Sequence, residues 1–271
     1  MLRISKIVIL ILSIQFKILP LLASEPLLIQ STTSTKNSGF FDYILPIIHA
    51  ETGILANVVA VGTGAAINNV KNCNGDLLIV HAKNREKNFV KGGFGIKRYD
   101  LMYNDFIIIG PSSDPANIRE FAKIESVFKK IAAGSYKFTS RGDDSGTNIR
   151  ELELWRSSKI KPQKFSGVWY LETGSGMGTT LNIGIELNSY ILVDRATWIT
   201  FRNKQDHKIL FEGDEALFNQ YGIIAVNPEN CPDAKFSKAN VLIKWLISPE
   251  GQSKISDLKI NGEQLFFPNS N

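Results

Sequence analysis

Four turns rich in small hydroxyl and glycine residues hold the groups that could do chemistry in this chain. What they are suited to do is bind an oxyanion. The densest runs Phe-Thr-Ser-Arg-Gly-Asp-Asp-Ser-Gly-Thr-Asn-Ile-Arg over residues 138–150. Its apolar, β-branched start reads as a strand, and Glu151-Leu-Glu-Leu-Trp155 beyond it reads as an amphipathic helix. The first N–H groups of a helix lack internal partners and the macrodipole favours negative charge there, so such a junction is an anion site. Asp144 or Ser145 would cap the helix, Gly146 would let an oxyanion approach the backbone, and Thr147 would add a hydroxyl donor. Arg141 supplies a planar fork of donors matched to a tetrahedral oxyanion.

The same signature recurs. Leu27-Leu-Ile-Gln reads as a buried strand and leads into Ser31-Thr32-Thr33-Ser34-Thr35, after which residues 40–50 are apolar at helical spacing. Five consecutive hydroxyls exceed what one helix cap needs, and neutral donors bind an anion without the desolvation cost of many buried charges. Strand-like Ala56-Asn-Val-Val-Ala-Val leads to Gly62-Thr63-Gly64 and another helix start. The fourth turn, Glu172-Thr-Gly-Ser-Gly-Met-Gly-Thr-Thr180, looks like a phosphate loop but lacks the lysine that reaches a nucleotide's terminal phosphates.

Elements that could position these turns follow from the pattern. Three strand–helix units before residue 92 imply a parallel sheet covered by helices, with ligands at the carboxyl ends of its strands, where the turns lie. Residues 95–111 read as extended, hairpin-like chain, with a new helix beginning near Ala116. Residues 103–110 read as the crossing into a second lobe, and residues 216–227 as the strand that returns. The organisation expected is α/β in two lobes, 25–108 with 220–271 forming the first and 109–219 the second. Helices at 236–247 and 249–258 close the chain.

Residues 1–24 stand apart. Arg3 and Lys6 precede an apolar run from Ile7, Lys17 interrupts it, and Leu-Leu-Ala-Ser ends it in small residues, which reads as a signal peptide cleaved after Ala23 or Ser24. No cysteine lies at the cleavage site, so the mature chain is expected in the periplasm, without a lipid anchor or a membrane span. The segment carries three basic and no acidic residues, leaving 28 basic against 26 acidic, a net charge of +2. A balance this even, with no long basic run, gives no support for nucleic-acid binding. An enzyme would need a base beside a nucleophile. Of the three histidines, His49 sits in an apolar helix and His207 in a charged turn, while His81 ends a strand near the cleft. The two cysteines lie far apart and no cluster has metal-ligand spacing, so neither catalysis nor a metal cofactor is expected.

Taken together, several stretches resemble one known family. They are Ser31-Thr-Thr-Ser-Thr with Ser38-Gly39, Val61-Gly-Thr-Gly64, Leu101-Met-Tyr-Asn-Asp-Phe106 with Gly110-Pro and Asp114-Pro-Ala, Ser140-Arg-Gly-Asp-Asp-Ser-Gly-Thr147, residues 174–178, and Asp194-Arg195. In this order, over nearly the whole mature chain, they resemble the tungstate-binding periplasmic proteins of ABC importers. The resemblance implies a periplasmic binding protein of the type II topology, acting as a monomer that hands tungstate, or molybdate, to a permease in the inner membrane. It puts the ligand on Ser31, Thr32, Thr33, Ser34, Thr63, Gly64, Arg141, Ser145, Gly146 and Thr147. Ser31 stands where the family usually has threonine and keeps the hydroxyl.

Two questions stay open at the level of the sequence. Arg141-x-Asp143-x-Ser145-Gly-Thr147 also resembles the loop of phosphate-binding proteins, where the aspartate accepts a proton from the ligand. Tungstate and molybdate carry no proton near neutral pH, so Asp143 either turns toward Arg141 or argues for phosphate. The second concerns Cys73 and Cys231. Exported cysteines face an oxidising compartment, and in the type II topology the returning strand lies antiparallel beside the third strand of the first lobe. That places both cysteines at one edge and predicts a disulfide between them.

Overall fold

The computed structural model describes residues 25–270; the expected signal peptide lies outside them. The first lobe is built on β1 (Leu27–Thr32), β2 (Ala56–Val61) and β3 (Leu77–Val80). β1 pairs in parallel with β2 and β3, and the sheet order β2-β1-β3 continues with β9 (Phe218–Val226) and then β4 (Gly95–Pro111). All four residues of β3 are buried, as a parallel strand covered on both faces requires. Each strand leaves its carboxyl end into a helix: β1 into the single-turn α1 (Thr33–Asn37) and then α2 (Phe40–Thr52), β2 into α3 (Thr63–Lys71), and β3 into α4 (Lys83–Lys91).

β4 (Gly95–Pro111) is one strand of 17 residues. The expected hairpin-like break is absent, because no glycine, proline or asparagine pair interrupts the run between Ile96 and Asn104. Its first part pairs antiparallel with the returning strand β9, and Phe106–Ile109 pair with β7 in the second lobe. The helix expected near Ala116 begins later, α5 spanning Ile124–Ala133. Asp114 (φ 42°) and Asn117 (φ 50°) are left-handed, and all that forms before α5 is the single 3-10 turn Ile118–Glu120. The Tyr190 hydroxyl fastens this turn, donating to Asp114 Oδ1 and accepting from the Ala116 N–H, both at 2.8 Å.

The second lobe continues with β5 (Phe138–Ser140), α6 (Gly146–Ser157), β6 (Tyr170–Glu172), α7 (Met177–Glu186), β7 (Ile191–Asp194), α8 (Arg195–Thr200) and β8 (His207–Phe211). β5 pairs in parallel with β6 and bridges to Tyr190 beside β7. β9 (Phe218–Val226) returns to the first lobe, and α9 (Phe236–Leu246) and α10 (Pro249–Asp257) close it. Leu101 and Met102 of β4 pack among first-lobe residues, whereas Phe106 and Ile108 pack with the second-lobe core around Trp155.

Cys73 and Cys231 are joined by a disulfide, their Cα atoms 5.4 Å apart. The reason is topological. β3 and β9 are antiparallel, and Val226 N–H donates to the Asp76 carbonyl, so the chain entering β3 and the chain leaving β9 meet at one edge.

Candidate functional site

The hydroxyl-rich turns of both lobes meet where β4 and β9 cross. In the first lobe the hydroxyl run divides into different tasks. Ser31 and Thr32 belong to β1, and the Ser31 hydroxyl donates to the Ile79 carbonyl at 2.7 Å, which ties β1 to β3 and leaves it no hydrogen for a ligand. Thr32 caps α1, its Oγ1 accepting from the Thr35 N–H and lying 2.7 Å from Thr35 Oγ1. Thr33 Oγ1 accepts from Arg141 Nη2 of the other lobe at 3.2 Å. Ser34 Oγ lies 3.2 Å from His81 Nε2. Thr63 opens α3, fully buried, and its Oγ1 has no protein partner.

The second lobe contributes the turn between β5 and α6. Ser145, not Asp144, is the N-cap, accepting from the Asn148 N–H at 3.2 Å. Asp144 adopts a left-handed backbone (φ 56°), which lets the chain turn sharply into the helix. Thr147 is buried and its Oγ1, like that of Thr63, has no protein partner. Arg141 is buried and held by its neighbours. Its carbonyl accepts from Ser175 N–H and Thr173 Oγ1, and its Nη2 donates to Asp143 Oδ2 at 2.6 Å. Arg141 Nε, again without a protein partner, is the third such donor. Buried polar atoms left unpaired are costly. Seven buried side-chain atoms among the described residues lack a protein partner, and these three lie in turns of the two lobes that abut at Gly62, Gly64, Asp143 and Asp144, which marks a place built for a ligand.

Asp143 answers one of the open questions. Oδ2 takes Arg141 Nη2 and Oδ1 takes the Ser145 N–H at 3.2 Å, so both carboxylate oxygens are engaged within the loop.

The lobes touch directly around this cluster. Gly64 and Gly146 mark close approaches. A Cβ on Gly64 would come within 2.5 Å of Asp144 Oδ2, and one on Gly146 within 2.7 Å of His81 Cε1. Below the loop, Glu151 is buried and accepts from Ser140 Oγ, Tyr170 OH and Trp155 Nε1. Burial pushes its carboxyl up to about 7, against the pull of those three donors. Asp194, the buried N-cap of α8, is also raised by burial, offset by Thr197 and by the charge of Arg141.

His81, expected at a strand end near the cleft, is buried among Ser34, Gly146 and Asn219, stacked on Tyr221 with ring centres 4.8 Å apart. Burial lowers its imidazole to about 4, with the Arg141 charge acting in the same direction, so it is neutral. Asn219 links it to Asn104 of β4, and Arg85 reaches across to Asp144. Asn219 and Arg85 carried no clear sequence signal. Among the described residues no group of three His, Cys, Asp or Glu side chains could hold a metal ion, and no helix is long and apolar enough to cross a membrane.

Two α/β lobes on a shared pair of strands, with buried donors converging between them, are the architecture of a binding protein. The model of the PBP superfamily domain matches residues 23–250. The tungstate-binding protein TupA of Peptoclostridium acidaminophilum is 40% identical over 252 residues, which cover 92% of this chain and 87% of that protein. The structure of the tungstate-binding protein TupA from Desulfovibrio alaskensis G20 superposes with a TM-score of 0.79 at 43% identity, over 91% of this chain and 100% of that one. That of the tungstate ABC transporter from Geobacter sulfurreducens does so at 0.79 and 42%, over 86% and 99%. The chain belongs to the PBP superfamily and, within it, to the family of these TupA proteins.

Proposed function

We propose that this chain is the extracytoplasmic solute-binding protein of an ABC importer and that it captures tungstate, with molybdate second, for delivery to a membrane permease. The observation that carries this is the donor set. Thr63 Oγ1, Thr147 Oγ1 and Arg141 Nε are buried hydrogen-bond donors without protein partners, and the carboxylate of the same loop, Asp143, is turned onto Arg141 and the Ser145 N–H. A tetrahedral ion without a proton needs donors on every side and no acceptor. Protonated phosphate needs an acceptor as well. The helix starts at Thr33, Thr63 and Gly146 add free backbone N–H groups and positive dipole ends.

The residues assigned to the ligand are Thr33, Thr63, Gly64, Arg141, Ser145, Gly146 and Thr147, with Thr32 shaping α1. The bodies that close on it are 25–108 with 220–271, and 109–219. A periplasmic location after removal of residues 1–24, and action as a monomer, complete the reading. Competition calorimetry with tungstate, molybdate, sulfate and phosphate tests it. Tungstate should bind tightest and phosphate should not displace it; phosphate binding tighter than tungstate overturns the assignment.

One observation favours a hydrolase instead. Ser34, His81 and Asn219 stand in a row, at 3.2 Å and 3.0 Å. A general base works best with a pKa near the working pH, and an imidazole held at about 4 is a poor acceptor for a serine proton. The binding reading is preferred for that reason, and turnover of a phosphate or sulfate ester by the pure protein would reverse the preference.

A further inference from the structure

His81 touches every part that must come together when the cleft is shut. Its Nε2 is 3.2 Å from Ser34 Oγ on α1, and its Nδ1 is 3.0 Å from Asn219 Oδ1 on β9. Its ring stacks on Tyr221, and its Cε1 supports the α-carbon of Gly146, the first residue of α6 in the other lobe. The hydrogen-bond sense follows from the amides. Asn219 Nδ2 donates to Asn104 Oδ1 at 2.7 Å, so Asn219 Oδ1 faces the ring and Nδ1 carries the proton. Nε2 is then an acceptor and takes the one hydrogen of the Ser34 hydroxyl, whose oxygen also lies 3.1 Å from Thr32 Oγ1 and can accept from it. The hydroxyl that looks in the sequence like a ligand donor is thus engaged by the imidazole, leaving Ser34 its backbone N–H at the start of α1.

We propose that His81 is a positioning residue for oxyanion capture: it orients Ser34 away from the ion and forms the seat on which α6 of the second lobe rests in the closed cleft. The contact with Ser34 lies within the first lobe, whereas the contact with Gly146 exists only when the lobes are together. Removing the imidazole therefore acts on the equilibrium between open and closed forms, and so on affinity, more than on the fold of either lobe. The ring also lines a cavity of about 440 Å³ together with Gly146, Arg85, Arg150 and Phe218. Truncation would extend that cavity to Ser34 and admit water beside the buried donors. The charge that acts on the ring is that of Arg141 from the β5–α6 turn, and the titratable Tyr221 of β9 stacks on it.

This inference rests on the binding reading above, and its test separates the two. Tungstate affinity is measured by calorimetry for wild type, His81→Ala, His81→Gln, Ser34→Ala and the double variant His81→Ala/Ser34→Ala, with ligand-free melting read in parallel. His81→Ala should bind about tenfold more weakly, and His81→Gln, which can still reach Ser34, should return to within about threefold of wild type. Ser34→Ala should cost less than about threefold, and should cost nothing further in the His81→Ala background. If His81→Ala does not fold, His81→Asn takes its place. It keeps a partner for Asn219 but cannot reach Ser34, and the same loss is expected. His81→Ala or His81→Asn binding within about threefold of wild type overturns the proposal. So does a Ser34→Ala loss greater than about threefold, which would put the Ser34 hydroxyl on the ion. Wild-type protein that binds no oxyanion overturns this proposal and the binding function together; binding by wild type with any of the contrary variant results overturns this proposal alone.

Discussion

Arg85 and Asp144 clasp each other across the cleft, Nη1 to Oδ2 at 2.7 Å and Nη2 to Oδ1 at 2.6 Å. Arg85 lies on α4 of the first lobe and Asp144 beside the N-terminus of α6 in the second, so the pair exists only in the closed form. Both side chains are substantially exposed, 39% and 63%, so solvent and salt screen them. Asp144→Ala or Arg85→Ala should weaken tungstate binding by about two- to threefold at low salt, through faster release, with the difference gone at about 1 M salt. Gly64→Ala should also weaken binding, but at every salt concentration, because its new methyl group would meet Asp144 Oδ2. Stopped-flow release at two salt concentrations decides this; equal release rates in wild type and Asp144→Ala at low salt would remove the clasp from the account.

Arg141→Ala should be far more damaging. It removes the positive charge nearest the orphaned hydroxyls and leaves Asp143 without its partner. Losing a charge-assisted contact in a closed cleft costs on the order of 2–5 kcal/mol. Calorimetry should record a loss of at least about thirtyfold, while the melting temperature without ligand changes little. Retained affinity would mean that the ion is held elsewhere.

Closure should be visible in solution. With tungstate the radius of gyration should fall relative to the ligand-free protein, since Thr33–Arg141 and Arg85–Asp144 both bridge the lobes. Superimposable scattering curves with and without saturating tungstate would indicate a rigid site.

Stability should depend on pH through Glu151. Its carboxyl is raised in the folded state to about 7, above the ordinary value of 4.5, so the folded protein holds this proton more tightly than the unfolded chain. The resulting stabilisation is present below about 4.5 and is lost as pH rises through about 7. Glu86, raised to about 7 by burial against the pull of Arg98, acts in the same direction. His81, lowered to about 4, opposes both, because its contribution is present above 6.5 and lost as pH falls. Denaturant titrations of wild type and Glu151→Gln between pH 4.5 and 7.5 should show the variant gaining relative to wild type as pH rises. A difference independent of pH would leave Glu151 ionised throughout.

Cys73→Ser/Cys231→Ser should lower stability by at most about 5 kcal/mol, the entropy figure for a loop of 158 residues, with strain and residual structure reducing it. Denatured, unreduced wild-type protein should yield no titratable thiol; two per chain would contradict the bond.

Part of this is legible because each hydroxyl-rich turn follows a strand and opens a helix, a junction that announces itself in short sequence. That pattern singles out Thr63, Arg141, Ser145 and Thr147, whose contact with the ion is what we propose above. The disulfide followed from strand order. What could not be read was how neighbouring hydroxyls divide their work. Ser31 and Ser34 are chemically alike in the sequence, yet one hydrogen goes to Ile79 and the other to His81, a choice made by pairing with β3 and its following residue. Arg85–Asp144 and His81–Asn219 join residues 59 and 138 positions apart, and no local pattern encodes such contacts. The unbroken β4 was misread as hairpin-like because a strand that serves two sheets in turn has no single alternation of buried and exposed residues.

That strand has a mechanical consequence. The link between the lobes is a paired ribbon, β4 against β9 from Gly95–Val226 to Asp105–Phe218, and its ladder shifts register between Gly95 and Arg98, at its far end in the first lobe, and again between Asp100 and Met102, beside the crossing. β4 shifts again against β8 between Ile108 and Ile109. A loose tether would let the two bodies slide, swivel and drift; a hydrogen-bonded ribbon resists shear and stretch and yields mainly to bending and twist. Compliance concentrates where the ladder is interrupted, on either side of Asn104 and Asp105, so the jaws part along one track and return along it. The donors on the two sides therefore meet the ion in the same alignment at each closure, with little orientational search.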